Sequence, residues 1–309
     1  MRGSDSRTTA APQGAVTGVT LPVVVAPEGR LRLGDLRALV RRNPTVVVGS
    51  ALLLAIVLMA ISAPWIAPGD PQAISPAMRL RPPSVEFWFG TDMYGRDVFT
   101  RTIHGSRISL LVGSLVAIVS VSCGLVIGLV TGSVRAVDSI VMRVMDGLMA
   151  IPDILLAIAM MAVIRASVTN VLIAITIPQI PRVARLVRSV VLTISERPYI
   201  EAAHSTGTPF RRILTRHILP NTIAPLLVQA TYTGAAAVLT EAGLSFLGAG
   251  TPPNIPSWGN MMAEGRSFFQ IATWIILFPG MFLAMTVLAV NLLGDGLRDA
   301  LDPRLRRCL

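Results

Sequence analysis

The chain has 309 residues, of which 52% are hydrophobic and 14% charged, and its mean hydropathy is +0.65. That balance excludes an ordinary soluble domain and predicts a membrane protein. All 27 basic residues are arginine; the net charge of +10 lies beside apolar runs rather than on one soluble patch, which argues against a nucleic-acid partner.

Residues 1–30 are rich in Ser, Thr, Gly, Pro and Ala, and read as a disordered cytoplasmic tail. The apolar patch at 21–27 is too short to span and lacks the layout of a cleavable signal. Residues 30–42, RLRLGDLRALVRR, set leucines and arginines on different faces at near-helical spacing, which reads as an interfacial helix on the inner leaflet or as an ordinary basic flank before a span. The expected organisation is this tail, then a 31–108 unit, then a 109–309 core. The middle unit holds the amphipathic segment, the first transmembrane helix and an external loop. The core holds five transmembrane helices and a cytoplasmic loop at 193–221.

Six spans are predicted, at 46–66, 110–130, 139–164, 171–183, 223–247 and 271–293, most with the ~20 residues a crossing needs. Pro178, Pro181, Arg182, Arg185 and Arg188 interrupt the fourth. A helix running past the membrane as ARLVRSVVL, with its arginines near the headgroups, resolves this. Six spans put both termini on one side. With the N-terminus inside, 20 arginines fall on the cytoplasmic side and seven outside, so both termini are expected in the cytoplasm. The prolines at 68, 71, 76, 82 and 83 predict extended structure, not a folded domain, at the start of the external loop.

Few ionisable residues fall inside the apolar runs. Asp146 and Asp153 flank Pro152 in the third span, and Glu241 lies late in the fifth. A lone carboxylate in lipid is costly, so each is expected to face the bundle, a cavity or a partner. Asp146, three residues after Arg143, is placed to pair with it along one helix face. Pro152 is expected to bend or interrupt the third span and free carbonyls that line a pathway. Glu241 reads either as a contact in that pathway or as an interhelical hydrogen bond.

The loop at 193–221 reads as two short helical pieces. Ser195 is expected to cap the first, with Glu196, Arg197 and Glu201 on its polar surface. Ala202, Ala203 and Ser205 permit close approach, and Gly207 supplies the turn. In PFRRILTRHILPN, Ile213, Leu214 and Ile218 pack while Arg211, Arg212 and Arg216 stay wet; Pro220 and Asn221 mark a break. Small residues, a glycine turn and a basic helix make a rigid knob.

This loop resembles the EAA loop of binding-protein-dependent ABC importer permeases. Glu201, Ala202, Ala203, Gly207, Leu219 and Pro220 fit the pattern; His217 stands where the family has Ile, and the RHILPN variant is similar to the peptide and nickel branch. GTDMYGRDVFTRTIHGSRIS (90–109), AVLTEAGLSFLGAGTPPNIPSWGN (237–260) and NLLGDGLRDALDPRLRR (291–307) resemble the C-type subunits of dipeptide and oligopeptide importers. The resemblance covers residues 35 to 307. It implies an all-α polytopic protein of the bacterial cell membrane, with the six-helix type I ABC importer permease fold. It further implies half of a heterodimeric pathway for dipeptides or oligopeptides, or for nickel, glutathione or another small solute. The partners it implies are a second permease subunit, two ABC ATPase subunits or a fused one, and an external solute-binding lipoprotein. The loop residues would couple to the ATPases; Glu241 and Pro152 are the candidates for the translocation path.

The rest of the chemistry reads as absent. There is no GxxxxGK[ST] run and no lysine at all, so ATP must be used by partners and no cofactor is expected on this chain. His104, His204 and His217 are spread over two loops, and Cys123 and Cys308 form neither a disulfide framework nor a metal site, so a membrane-embedded enzyme using Asp146, Asp153 and Glu241 is disfavoured. A stand-alone channel would leave the loop without a task.

Overall fold

The computed structural model describes residues 44–163 and 165–301; the predicted tail and interfacial helix lie outside these. Among the described residues the chain is helical, apart from connections and one isolated bridge between Thr91 and Asp97. In chain order the helices are α1 (Pro44–Ile61), α2 (Ala63–Ile66), α3 (Val98–Ser133), α4 (Arg135–Met149), α5 (Asp153–Val163) and α6 (Val168–Ser195). Then follow α7 (Pro198–Ser205), α8 (Phe210–Ile213), α9 (Leu219–Phe246), α10 (Trp258–Gly265) and α11 (Trp274–Leu301).

Among the described residues five helices are long and apolar enough to cross a membrane: α1, α3, α6, α9 and α11. The third predicted span is not one helix. α4 and α5 meet at 87°, and with this bent pair the count reaches six. Pro152 sits in the break, where Ala150 tightens the end of α4 by donating to the carbonyls of both Asp146 and Gly147. α5 extends about 16 Å at 1.5 Å per residue, about half of the ~30 Å hydrocarbon. α4 is amphipathic, with Asp138, Arg143 and Asp146 among Ile140, Val144 and Met142.

The fourth span does run on: α6 takes both prolines within it and continues to Ser195. Its long contact with α3 follows from small residues. Gly124, Gly128 and Gly132 recur every fourth residue on α3, opposite Val183, Val187 and Val191 on α6. A Cβ at Gly124 or Gly128 would stand 2.5 Å from the facing valine Cβ, so only glycine lets the backbones meet this closely. Above this seam Val112, Val116, Ala157, Ile175 and Ala237 form the buried centre of α3, α5, α6 and α9.

The loop expected to be external is folded, against the expectation of a merely extended start. Residues 67–97 turn repeatedly and lie against α10 and α11, where Leu80 and Phe89 pack on Val98, Met261 and Ile275. Asp92, Arg96, Arg101 and Glu264 form a buried network there. Asp92 Oδ2 lies 2.6 Å from both Arg96 Nε and Arg101 Nη1, and Glu264 Oε2 lies 2.6 Å from Arg96 Nη2 and Arg101 Nη1. Two guanidiniums and two carboxylates satisfy one another, which a buried charge requires. The prolines set the local turns; this network, which no local pattern announces, folds the loop down.

Candidate functional site

At the opposite end of the bundle, α7, α8 and the start of α9 form a hairpin. Pro198 opens α7 at a position where its missing N–H costs nothing. Ser195 does not cap this helix: it is the last residue of α6, its hydroxyl donates to Val191 O, and Arg197 occupies the N-cap. α7 ends in a Schellman motif. Thr208 N–H bonds Ala203 O and Gly207 N–H bonds His204 O, both at 3.0 Å, with Gly207 at φ +74°. A Cβ at Gly207 would meet no atom within 4 Å, so the requirement for glycine is one of backbone conformation alone.

The expected break at Pro220 and Asn221 is absent. The chain passes from α8 to α9 through a π turn at Leu214–Ile218, where Leu219 N–H reaches back to Leu214 O. Pro220 offers no N–H to the preceding turn, and this wider turn absorbs the missing bond in one continuous helix. Asn221 Nδ2 donates to His217 O at 2.6 Å, supplying a carbonyl freed by the register shift.

Three isoleucines fasten the hairpin to the bundle. Ile200, Ile213 and Ile218 are buried and pack on Val183, Val187, Val191, Ile194 and Leu226. The opposite face is open: Glu201, Ala202, His204, Arg211, Arg212 and Arg216 are exposed, as are Tyr199 and Phe210. Ala203 is half-buried and leans on the isoleucine cluster, so of the two alanines Ala202 faces outward. Leu219 is half-buried, and Pro220 is exposed in the first turn of α9.

Three ion pairs tie α6 to the bent pair, and one corrects an expectation. Asp146 pairs with Arg185 at 2.5 Å, not with Arg143 on its own helix. Arg188 holds Asp138, and Arg182 Nη2 lies 2.8 Å from Asp153 Oδ2. The arginines recur at every third residue of α6, a spacing visible in sequence; their partners on another helix were not. Glu241 is fully buried within the chain. Its Oε1 accepts from Ser245 Oγ at 2.8 Å, Ser257 Oγ at 3.0 Å and Thr251 Oγ1 at 3.4 Å, which joins α9 to the cap of α10. Pro152 lies exposed at the bend. Among the described residues no group of His, Cys, Asp and Glu is placed to hold a metal ion.

Residues 124–307 match the family described as "Binding-protein-dependent transport system inner membrane component", and residues 35–83 match "N-terminal TM domain of oligopeptide transport permease C". The chain is 52% identical to a "Probable peptide ABC transporter permease protein" of Sinorhizobium fredii, over 90% of this chain and 95% of the other. It is 43% identical to a "Dipeptide transport system permease protein" of Alkalihalophilus pseudofirmus, over 86% and 88%. It is 41% identical to a "Di/tripeptide transport system permease protein" of Pseudomonas aeruginosa, over 85% and 89%.

Proposed function

We propose peptide import as the task of this chain, because it belongs to the family of binding-protein-dependent transport system inner membrane components. It is a multi-pass membrane permease subunit rather than a catalyst of covalent chemistry, and it works with partners that use ATP. The observation that carries the reading is the hairpin. It is held to α6 and α9 by three buried isoleucines and presents Glu201, Ala202 and Arg212 outward, as a lever must that passes force without absorbing it.

In this reading the partners are a second permease subunit, two ATPase subunits or a fused one, and an external solute-binding lipoprotein. Glu201, Ala202, Ala203, Gly207, Leu219 and Pro220 form the coupling surface. Closure of the ATPase dimer on ATP moves the hairpins of the two permeases, and α6 and α9 carry the motion into the membrane. The pathway opens at the bend beside Pro152, while Glu241 holds the outer wall from behind through Ser245, Thr251 and Ser257. Both termini lie in the cytoplasm, and the loop at 67–97 with α10 faces outward to the binding protein. Residues 31–108 then serve as a first helix and external cap on the 109–309 core. The peptide substrate is supported by the names of the relatives.

The test is reconstitution of the chain with its permease, ATPase and binding-protein partners in liposomes. ATP-dependent uptake of a labelled dipeptide is expected, with none from this chain alone. Uptake by this chain without ATPase subunits would overturn the reading.

A further inference from the structure

One polar group lies at membrane depth on an open face of the chain. Asp153 is the first residue of α5, after the bend, and Arg182 stands opposite it on α6. Counted from the other end of each helix at 1.5 Å per residue, the pair lies about 15 Å along α5 and about 21 Å along α6, within a hydrocarbon layer of ~30 Å. Ionisable side chains at such depth face a bundle interior or a water-filled cavity, and they mark substrate pathways. This pair is not sealed inside the chain: the Arg182 side chain is 48% exposed and that of Asp153 is 22% exposed.

The pair is also built. Gln179, itself buried, donates Nε2 to Asp153 Oδ2 at 3.2 Å, on the same oxygen that faces Arg182 Nη2. That fixes the carboxylate and leaves Asp153 Oδ1, with Arg182 Nε and Nη1, without partners among the described residues. One anionic and one cationic edge are thus presented together. Arg185 and Asp146 form a separate half-exposed pair on the next turn, so neither neutralises the free edges.

We propose that Asp153 and Arg182 are a contact site in the translocation path for the two charged ends of a short peptide. The guanidinium receives the terminal carboxylate through its planar donors. The free carboxylate oxygen receives the terminal ammonium. Gln179 is a positioning residue that keeps Asp153 turned toward the path. The assignment rests on the peptide-import reading above, and it adds which groups of the substrate are recognised inside the membrane.

The experiment uses the assembled complex in liposomes and labelled dialanine. Arg182→Gln and Asp153→Asn are each expected to lower uptake about tenfold or more, the effect of one lost charge-assisted hydrogen bond, with complex yield unchanged. The exchanged double variant Asp153→Arg with Arg182→Asp rebuilds an ion pair but reverses its order against the bend, and is expected to assemble without restoring uptake. Uptake restored by the exchange would make the pair a structural fastening and overturn the site. A second arm reads water access. With Cys123 and Cys308 changed to Ser, Arg182→Cys is expected to react with a charged, membrane-impermeant thiol reagent in the assembled complex, and dialanine is expected to slow it. No reaction with or without nucleotide would place the residue in a sealed subunit interface and overturn the site even where Arg182→Gln assembles poorly. A wild-type complex that imports no dipeptide overturns the peptide reading and the site together; a normal wild type with a normal exchange variant overturns the site alone.

Discussion

Arg188 grips Asp138 through two parallel hydrogen bonds, Nε to Oδ1 and Nη2 to Oδ2, and so joins α6 to the start of α4 across 50 residues of sequence. The fork needs both carboxylate oxygens and a planar donor. Both side chains keep some contact with solvent, so the pair contributes no more than about 1 kcal/mol. Asp138→Asn and Arg188→Lys are both expected to lower the melting temperature in detergent by about 1–3 °C. Both are also expected to expose the connection between α3 and α4 to protease. Equal melting and equal cleavage in both variants would show that α4 is held by other contacts.

Gly207 tests the hairpin through backbone conformation alone. At φ +74° a β-branched residue costs roughly 1–2 kcal/mol, while open space around the site removes any steric contribution. Gly207→Val is expected to reach the membrane at normal level, lose its ATPase subunits on purification and support no uptake. Gly207→Asn, a residue that tolerates this region, is expected to retain most of both. An asparagine variant as defective as the valine variant would mean that the turn matters by contact rather than conformation.

Ala202 and Ala203 are expected to separate. Ala202 faces outward, so Ala202→Trp should block ATPase association without changing the melting temperature. Ala203 leans on the isoleucine cluster, so Ala203→Trp forces that packing apart at about 1–3 kcal/mol and should lower the melting temperature as well. Co-purification and thermal unfolding in detergent read the two effects. Intact association in both variants would move the coupling surface elsewhere.

Glu241 is tested by contrast between an isostere and a hydrocarbon. Glu241→Gln keeps an oxygen for the three hydroxyls and is expected to assemble near normally. Glu241→Leu leaves Ser245, Thr251 and Ser257 buried without their shared acceptor, at about 1–3 kcal/mol for each unmade bond, and should lower the yield of folded chain. If Glu241→Gln assembles fully yet stops uptake, the carboxylate itself meets the substrate.

Orientation is tested by reporter fusions. Those after Arg135 and Gly207 are expected to read cytoplasmic, and those near Pro83 and Pro256 external. External activity at Gly207 with cytoplasmic activity at Pro83 would reverse the chain and remove the hairpin from its ATPases.

What the sequence made legible was whatever is encoded locally. Hydropathy alone located α1, α3 and α11, and the step at Gly207 marked the turn that a Schellman motif later occupies. The run-on of α6 followed from Arg185 and Arg188, whose charges seek the headgroups. Pairings between distant segments were beyond reach. Arg143 and Asp146 have good spacing on one helix, yet Arg185 on α6 takes the carboxylate. The 87° bend is a tertiary quantity, since Pro152 specifies that the helix breaks but not by how much. Pro220 misled in the other direction: a proline that looks like a terminus is absorbed by a π turn whose five residues show no signature of their own.

The buried network beneath the loop at 67–97 bears on how the protein is made. Arg101 and Asp92 emerge together with α3, but Glu264 follows 163 residues after Arg101, once α9 has crossed. Until then two guanidiniums share one carboxylate, and the loop has no α10 to fold onto. The cap therefore closes only after nearly the whole polypeptide has been inserted, and a nascent chain stalled before α10 would show an open, protease-sensitive loop between its first two membrane helices.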